Sequence, residues 1–207
     1  MCFHSKQTKK AIEVINRFNA QIDKPELFNE TASYNAFTFP HTPVITNKHP
    51  HIIQEFYWGL IPKWSKDEDI RTYTLNARLE TIKEKPSFKD NISNRCIIIT
   101  NGFYEWQWQD KTGKKKKKYE LSTTNNELFT FAGLYSEWLN KQTGEIRNTY
   151  TIVTTEAQGI MKEIHNSKYR IPITLTQERE QDWLNGIEIM DFKNDTVEII
   201  ASSVDVK

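Results

Sequence analysis

Residues 95–106, Arg-Cys-Ile-Ile-Ile-Thr-Asn-Gly-Phe-Tyr-Glu-Trp, constrain the fold of this chain more than any other stretch. The run from Cys96 to Ile99 is apolar and β-branched, too short for a helix and suited to a buried strand. Asn101-Gly102 interrupts it, a pair that favours a turn or bulge because glycine accepts positive φ. Phe-Tyr-Glu-Trp follows at once. Strand alternation puts Phe103 and Glu105 on one face, with Tyr104 and Trp106 on the other. Two readings of Glu105 stand. It is a carboxylate on an edge strand in water, or a carboxyl in a partly apolar pocket, where desolvation raises its pKa and fits it for proton transfer.

The other signals fit one domain over residues 1–207, since this length buries one good core and is short for two. Ala11, Ile12, Val14, Ile15 and Phe18 share a helical face and predict a helix from about Lys6 to Asn19. Residues 23–50 carry Pro25, Pro40, Pro43 and Pro50, and predict irregular structure with short strands. A strand is expected over 52–58, and a loop entering a short helix over 74–81. Asp110–Gly113 reads as a hairpin turn between Gln107 and Lys117. Residues 128–138 and 147–154 read as paired strands, 156–163 and 176–184 as helices, and 196–200 as a last strand. The expected fold class is α+β: a single domain with a curved, barrel-like, mainly antiparallel β core and peripheral helices.

A net charge of +1 selects no class of partner. Six Trp, eight Tyr and eleven Phe suit either a β-rich core or base-stacking surfaces. The two cysteines, Cys2 and Cys96, make neither a disulfide framework nor a zinc site, and Cys96 reads as a small core residue. No apolar segment of signal or membrane length precedes Cys2, so a cytosolic chain with reduced thiols is expected, without membrane attachment.

Cys2 directly follows the initiator Met. Loss of Met1 would leave a free α-amine and a thiol on adjacent carbons, a pair that forms an imine with an aldehyde and closes it to a thiazolidine. The α-amine has a reference pKa of about 7.7–8.0, so part of it is the neutral nucleophile near neutrality. The plain alternative is a silent residue at position 2. Asn76-Ala-Arg78 with Glu80-Thr81 combines an amide, a guanidinium and a carboxylate near an expected helix start, a phosphate site or an ordinary salt-bridged helix end. Lys114–Lys118 is a basic run at a hairpin tip, either attracting phosphates or simply solvated. His165 is the side-chain type that titrates nearest neutrality, though a lone histidine is usually structural. His49-Pro-His51 lacks further ligands at recognisable spacing, so no metal site is expected.

Together these pieces resemble the SRAP family, the SOS-response-associated peptidases that process abasic sites. The matching pieces are Met1-Cys2, Trp58-Gly-Leu-Ile-Pro-Lys-Trp64, Asn76-Ala-Arg-Leu-Glu-Thr81, Arg95-Cys96 through Gly102-Phe-Tyr-Glu-Trp106, Phe131-Ala-Gly-Leu134, and His165 with Arg170-Ile-Pro172. They occur in the family's order across nearly the whole chain. The resemblance implies a barrel-like β core, loss of Met1, and covalent capture of the aldehyde form of an abasic site in single-stranded DNA. It implies peptidase self-cleavage and lyase-like activity, no cofactor, a monomer, and a cytoplasmic protein that joins the nucleoid on DNA. Carried over by motif, Cys2 is the nucleophile, Asn76 positions the N-terminus or a phosphate, Glu105 and His165 handle protons, and Arg78 holds the DNA backbone. Arg170, in the family's Arg-Met-Pro pattern, is a candidate DNA contact, and Trp64 is a candidate stacking platform on DNA or a core residue. Two departures stand out. Phe3 and His4 replace the family's usual Gly and Arg, so His4 supplies at most part of that phosphate contact. His165 lies five residues before Arg170 rather than two, which enlarges the loop between them.

Two rival readings remain. An N-terminal-nucleophile amidohydrolase also uses a mature N-terminal cysteine, through an acyl-enzyme and usually on an αββα fold. A non-catalytic single-strand-binding module would leave no covalent product.

Overall fold

Every strand of the core is tied to two neighbours, which removes the open edges a flat sheet would leave. The computed structural model describes residues 2–204. Its strands are β1 (His4–Gln7), β2 (Gln21–Ile22), β3 (Thr31–Asn35), β4 (His41–Thr46), β5 (His49–Trp58), β6 (Asn76–Arg78) and β7 (Arg95–Thr100). They continue with β8 (Gly102–Trp108), β9 (Lys116–Ser122), β10 (Phe129–Leu139), β11 (Ile146–Glu156), β12 (Arg170–Pro172), β13 (Thr174–Leu175) and β14 (Ile200–Val204). Three helices, α1 (Ala11–Phe18), α2 (Met161–Ile164) and α3 (Gln177–Leu184), lie at the margins. Strand β4 pairs antiparallel with β5 and β7, β7 with β10, and β10 with β11. Strand β11 then returns parallel to β5 through Thr149↔Tyr57 and Tyr150↔Trp58, closing a five-stranded barrel. A second antiparallel sheet, in the order β14-β9-β8-β1-β3, packs beside it. The α+β, barrel-like fold expected from the sequence is the fold adopted, and it is not the layered αββα arrangement of the amidohydrolase rival.

The continuous apolar run of β7 has a direct packing cause. Cys96 and Ile98 enter one core cluster with Phe103, Phe131 and Tyr150, while Ile97 and Ile99 enter a second with Leu134 and Trp183. A strand covered on both faces needs no polar alternation. Gly133 on β10 allows this closeness. A Cβ there would stand 2.4 Å from Ile98 Cδ1 and 2.9 Å from the Thr151 carbonyl oxygen. Gly133→Ala should therefore cost about 1–3 kcal/mol through overpacking, read as a lower denaturant midpoint at unchanged slope.

Asn101-Gly102 is the corner at which the chain leaves the barrel for the second sheet. The glycine is required by close approach rather than by positive φ, since a Cβ would meet the Leu121 carbonyl at 2.9 Å. Asn101 fixes the corner by accepting from Thr8 N–H and donating to Thr8 Oγ1 and Asn126 Oδ1.

Other local expectations shift. The first helix begins only at Ala11, because residues 4–7 are recruited as β1, where Ser5 and Lys6 pair with Phe103 and Gly102. Residues 41–46 form a buried barrel strand despite Pro43, which lies just outside the stretch where β4 pairs with β7 and so owes that strand no N–H. Residues 76–78 form a strand parallel to β11, followed by a single 3-10 turn, Leu79–Thr81. The helix expected over 156–163 shrinks to the single turn α2, and the last strand moves to Ile200–Val204 against β9. The 110–113 turn and the β10–β11 pair lie where the sequence puts them. Among the described residues no helix is long and apolar enough to cross a membrane.

Candidate active site

The second sheet brings the N-terminus to Glu105. In β1 Ser5 lies opposite Phe103 and Lys6 opposite Gly102, and just before β1 Cys2 stands close enough to Glu105 for the carboxylate charge to act on its thiol. Cys2 is completely buried. Asn76 Nδ2 donates to the Cys2 carbonyl oxygen at 2.8 Å, so β6, held by its parallel register with β11, clamps the chain there. The Asn76 Oδ1 atom has no hydrogen-bond partner among the described residues. Met1 lies outside the described residues, and its expected loss stays a sequence-based expectation.

Glu105 is only 5% exposed, which decides between its two readings in favour of the pocket. Burial pushes its pKa up to about 7. Its Oε1 has no hydrogen-bond partner among the described residues, while Oε2 lies 3.9 Å from His165 Nε2. His165 caps the C-terminus of α2, its N–H donating to the Met161 carbonyl at 2.9 Å. Its Nδ1 lies 2.7 Å from the Arg170 carbonyl oxygen and 3.0 Å from the Arg170 nitrogen, so either neutral tautomer has a backbone partner. Burial pulls His165 down to about 4. The two side chains are thus close, and burial favours the neutral form of each. The sequence expectation that His165 titrates near neutrality is corrected by this desolvation. The Cys2 thiol is likewise pushed well up, first by burial and then by the Glu105 charge.

Above these groups lies a cavity of about 380 Å³. Phe3, Phe37, Trp106 and Trp108 supply apolar walls, Glu105 and His165 the reactive groups, and Lys116 and Lys168 positive charge at its rim. His4 also lines it, edge-on to Trp106 with centroids 4.8 Å apart. Burial lowers the His4 pKa, with Lys118 adding to the effect, so His4 is a poor stand-in for a phosphate-binding arginine. Sequence reasoning missed Phe37 and Lys168, for which no local signal exists. Trp108 was findable as the residue two beyond Trp106 on the same strand face.

The remaining expected residues divide. Arg78 is exposed at the end of β6. Trp64 is 54% exposed, which removes it from the core, but it does not line the cavity. Arg170 is only 6% exposed, its guanidinium doubly bonded to Glu80 at 2.8 and 2.9 Å and donating to the Thr154 carbonyl at 2.6 Å. Its charge is spent inside the fold, so a backbone contact to DNA does not follow from its position. Arg170→Ala should cost roughly 2–3 kcal/mol of stability, below the full cost of breaking a buried pair because Glu80 keeps some solvent. Thermal unfolding checks this. The lysine run is more than a hairpin tip. Lys116, Lys117 and Lys118 belong to β9, and Lys118 lies over the rings of Tyr104 and Trp106 at 4.2 and 5.5 Å. Among the described residues no group of three or more His, Cys, Asp or Glu side chains could hold a metal ion.

The family profile described as SOS response associated peptidase (SRAP) matches residues 1–203. The chain belongs to the SRAP family. Among its relatives, the abasic site processing protein YoqW of Bacillus subtilis is 40% identical over 179 residues, 84% of this chain and 75% of that protein. The abasic site processing protein HMCES of Xenopus tropicalis is 29% identical over 186 residues, 76% of this chain and 55% of that protein. A crystal structure of a protein from Bacteroides thetaiotaomicron matches with a TM-score of 0.90 at 39% identity, covering 99% of this chain and 92% of that one. A protein from Bordetella bronchiseptica, at 22% identity and a TM-score of 0.82, shares the fold. This SRAP chain therefore carries the clamped Cys2, the Glu105–His165 pair and the aromatic cavity on a fold it shares with other proteins.

Proposed function

We propose that this protein captures the ring-opened abasic site of single-stranded DNA as a covalent adduct on Cys2, after loss of Met1. The observation that carries the reading is the buried Cys2, its carbonyl held by Asn76, beside a carboxyl poised near pKa 7 under an aromatic cavity. The names of the relatives point to abasic sites as the substrate class.

Hydrolytic loss of Met1 consumes one water, and the capture that follows releases one. Hydrolysis of the Met1–Cys2 bond, the peptidase step, frees the Cys2 amine. In the closed sugar, neutral His165 takes the anomeric hydroxyl proton through Nε2 while protonated Glu105 delivers one to the ring oxygen, opening the aldehyde. His165 then hands the proton it holds back to Glu105, the Cys2 amine attacks C1′, and the carbinolamine loses its hydroxyl as water with a proton from Glu105, leaving an iminium. The Cys2 sulfur adds to the iminium carbon and its proton returns to Glu105. One C–N and one C–S bond form, and the carbonyl oxygen leaves as water. The low-dielectric pocket that raises Glu105 also lets it return to the acid form between steps.

His165→Ala should then be impaired chiefly on the closed abasic sugar and far less on an open model aldehyde. Single-turnover crosslinking on both substrates checks this, and equal impairment on both would remove His165 from ring opening. Arg78→Ala should weaken binding of single-stranded DNA of any sequence and reduce the logarithmic salt slope by about 0.7, one phosphate on a single strand. An unchanged slope in a salt titration returns Arg78 to a structural role. The experiment that tests the function itself is incubation with a single strand carrying one abasic site, followed by denaturing electrophoresis.

A further inference from the structure

The loop between His165 and Arg170 sits between two depressions. On one side is the aromatic cavity over Glu105. On the other is a depression of about 400 Å³ lined by Arg78, Glu156, Lys162, Tyr169 and Arg170. Lys168 lines both. With Arg170 neutralised by Glu80, the second depression presents the cations Arg78, Lys162 and Lys168 against one carboxylate, Glu156. All four of these side chains are exposed.

The loop is built to hold this position. Asn166 clamps it to the end of β8, accepting from Trp108 N–H and donating to the Trp108 carbonyl, each at 3.0 Å. Tyr169 N–H donates to the His165 carbonyl, and the Tyr169 carbonyl accepts from Ala157 N–H, both at 2.8 Å. These bonds keep Tyr169 in the left-handed region at φ 53°, an uncommon place for a residue with a bulky side chain. Tyr169 is 56% exposed, at the lip of the cationic depression. A strained backbone that holds an exposed aromatic residue next to exposed cations is an arrangement suited to a nucleic-acid strand.

We infer that this loop carries the DNA strand from the reaction cavity into the Arg78 depression, with Lys168 binding the phosphate next to the captured nucleotide and Tyr169 stacking the neighbouring base. The inference rests on the single-strand reading proposed above. It assigns to residues 168 and 169 the work of fixing where along a strand the lesion must lie, as distinct from the chemistry at Cys2.

The test uses the full chain and a single strand containing a tetrahydrofuran abasic analogue, which has no aldehyde and cannot crosslink. Affinity is followed by fluorescence anisotropy from 50 to 200 mM salt. Lys168→Ala should reduce the logarithmic salt slope by about 0.7, while Lys141→Ala, an exposed lysine on a distant turn, should not. Replacing one adjacent phosphate by a neutral methylphosphonate should weaken wild type and leave Lys168→Ala unaffected. Tyr169→Ala should weaken binding on the order of tenfold at an unchanged slope, and Tyr169→Phe should bind as wild type. A Lys168→Ala slope equal to wild type, or a Tyr169→Ala affinity equal to wild type, overturns the assignment of that residue. Because the analogue cannot react, these results do not depend on covalent capture. A protein that shows them yet never traps a true abasic site would refute the proposed function and leave this inference standing.

Discussion

Cys2→Ala should abolish the covalent product on abasic single strands while non-covalent affinity stays close to wild type. The expectation follows from the division of labour in the site. In the proposed function, strand contacts come from Arg78 and the basic, aromatic surroundings of the cavity, none of which needs the thiol. The stable bond needs both the amine and the sulfur of one residue. Alanine keeps the amine and can reach only the imine, which water reverses. Cys2→Ser is the informative companion. Its hydroxyl can close a five-membered ring, but more reluctantly, so its adduct should form and then decay. Crosslinking followed by a chase with excess aldehyde scavenger reads both variants. A serine adduct as durable as the native one would count against the thiazolidine.

Glu105→Gln should slow crosslinking by on the order of a hundredfold, the low end for loss of a general acid–base group. Unlike His165→Ala, it should slow the open aldehyde as well as the closed sugar, since dehydration needs its proton on both. The native rate should fall as pH rises through about 7, where Glu105 loses its proton, and the glutamine variant should lack that limb. Stability supplies a second readout. Because the folded pKa is raised above the unfolded one, the folded state binds more protons between roughly pH 4.5 and 7, so Glu105 costs stability as pH rises across that window. Glu105→Gln should accordingly be more heat-stable than wild type at pH 8 and lose that advantage near pH 4. The variant would thus be slower and sturdier, as expected of a group kept buried for function.

The parts of this fold legible in the sequence are those with strong local signals. The β7 run, the 110–113 turn and the β10–β11 pair carry periodicity or turn chemistry that tertiary context does not override. Residues 4–7 and 76–78 were not legible. They are short strands whose conformation is set by neighbours distant in sequence, Phe103 for one and Ile152 for the other. In the site, Cys2 and Glu105 were visible because their chemistry is odd for their setting. The pairing of Arg170 was not legible, because nothing local reveals that Glu80, ninety residues away, holds its guanidinium. The shifts of Glu105 and His165 to about 7 and 4 needed the burial itself, which no motif encodes.

The most direct measurement is the intact mass of the product formed with a single strand carrying one abasic site. The account predicts a mass equal to the chain without Met1 plus the DNA minus one water, unaltered by borohydride because no imine remains, with the modified peptide beginning at Cys2. A product that retains Met1, a reducible imine, or attachment at any residue other than Cys2 would contradict it.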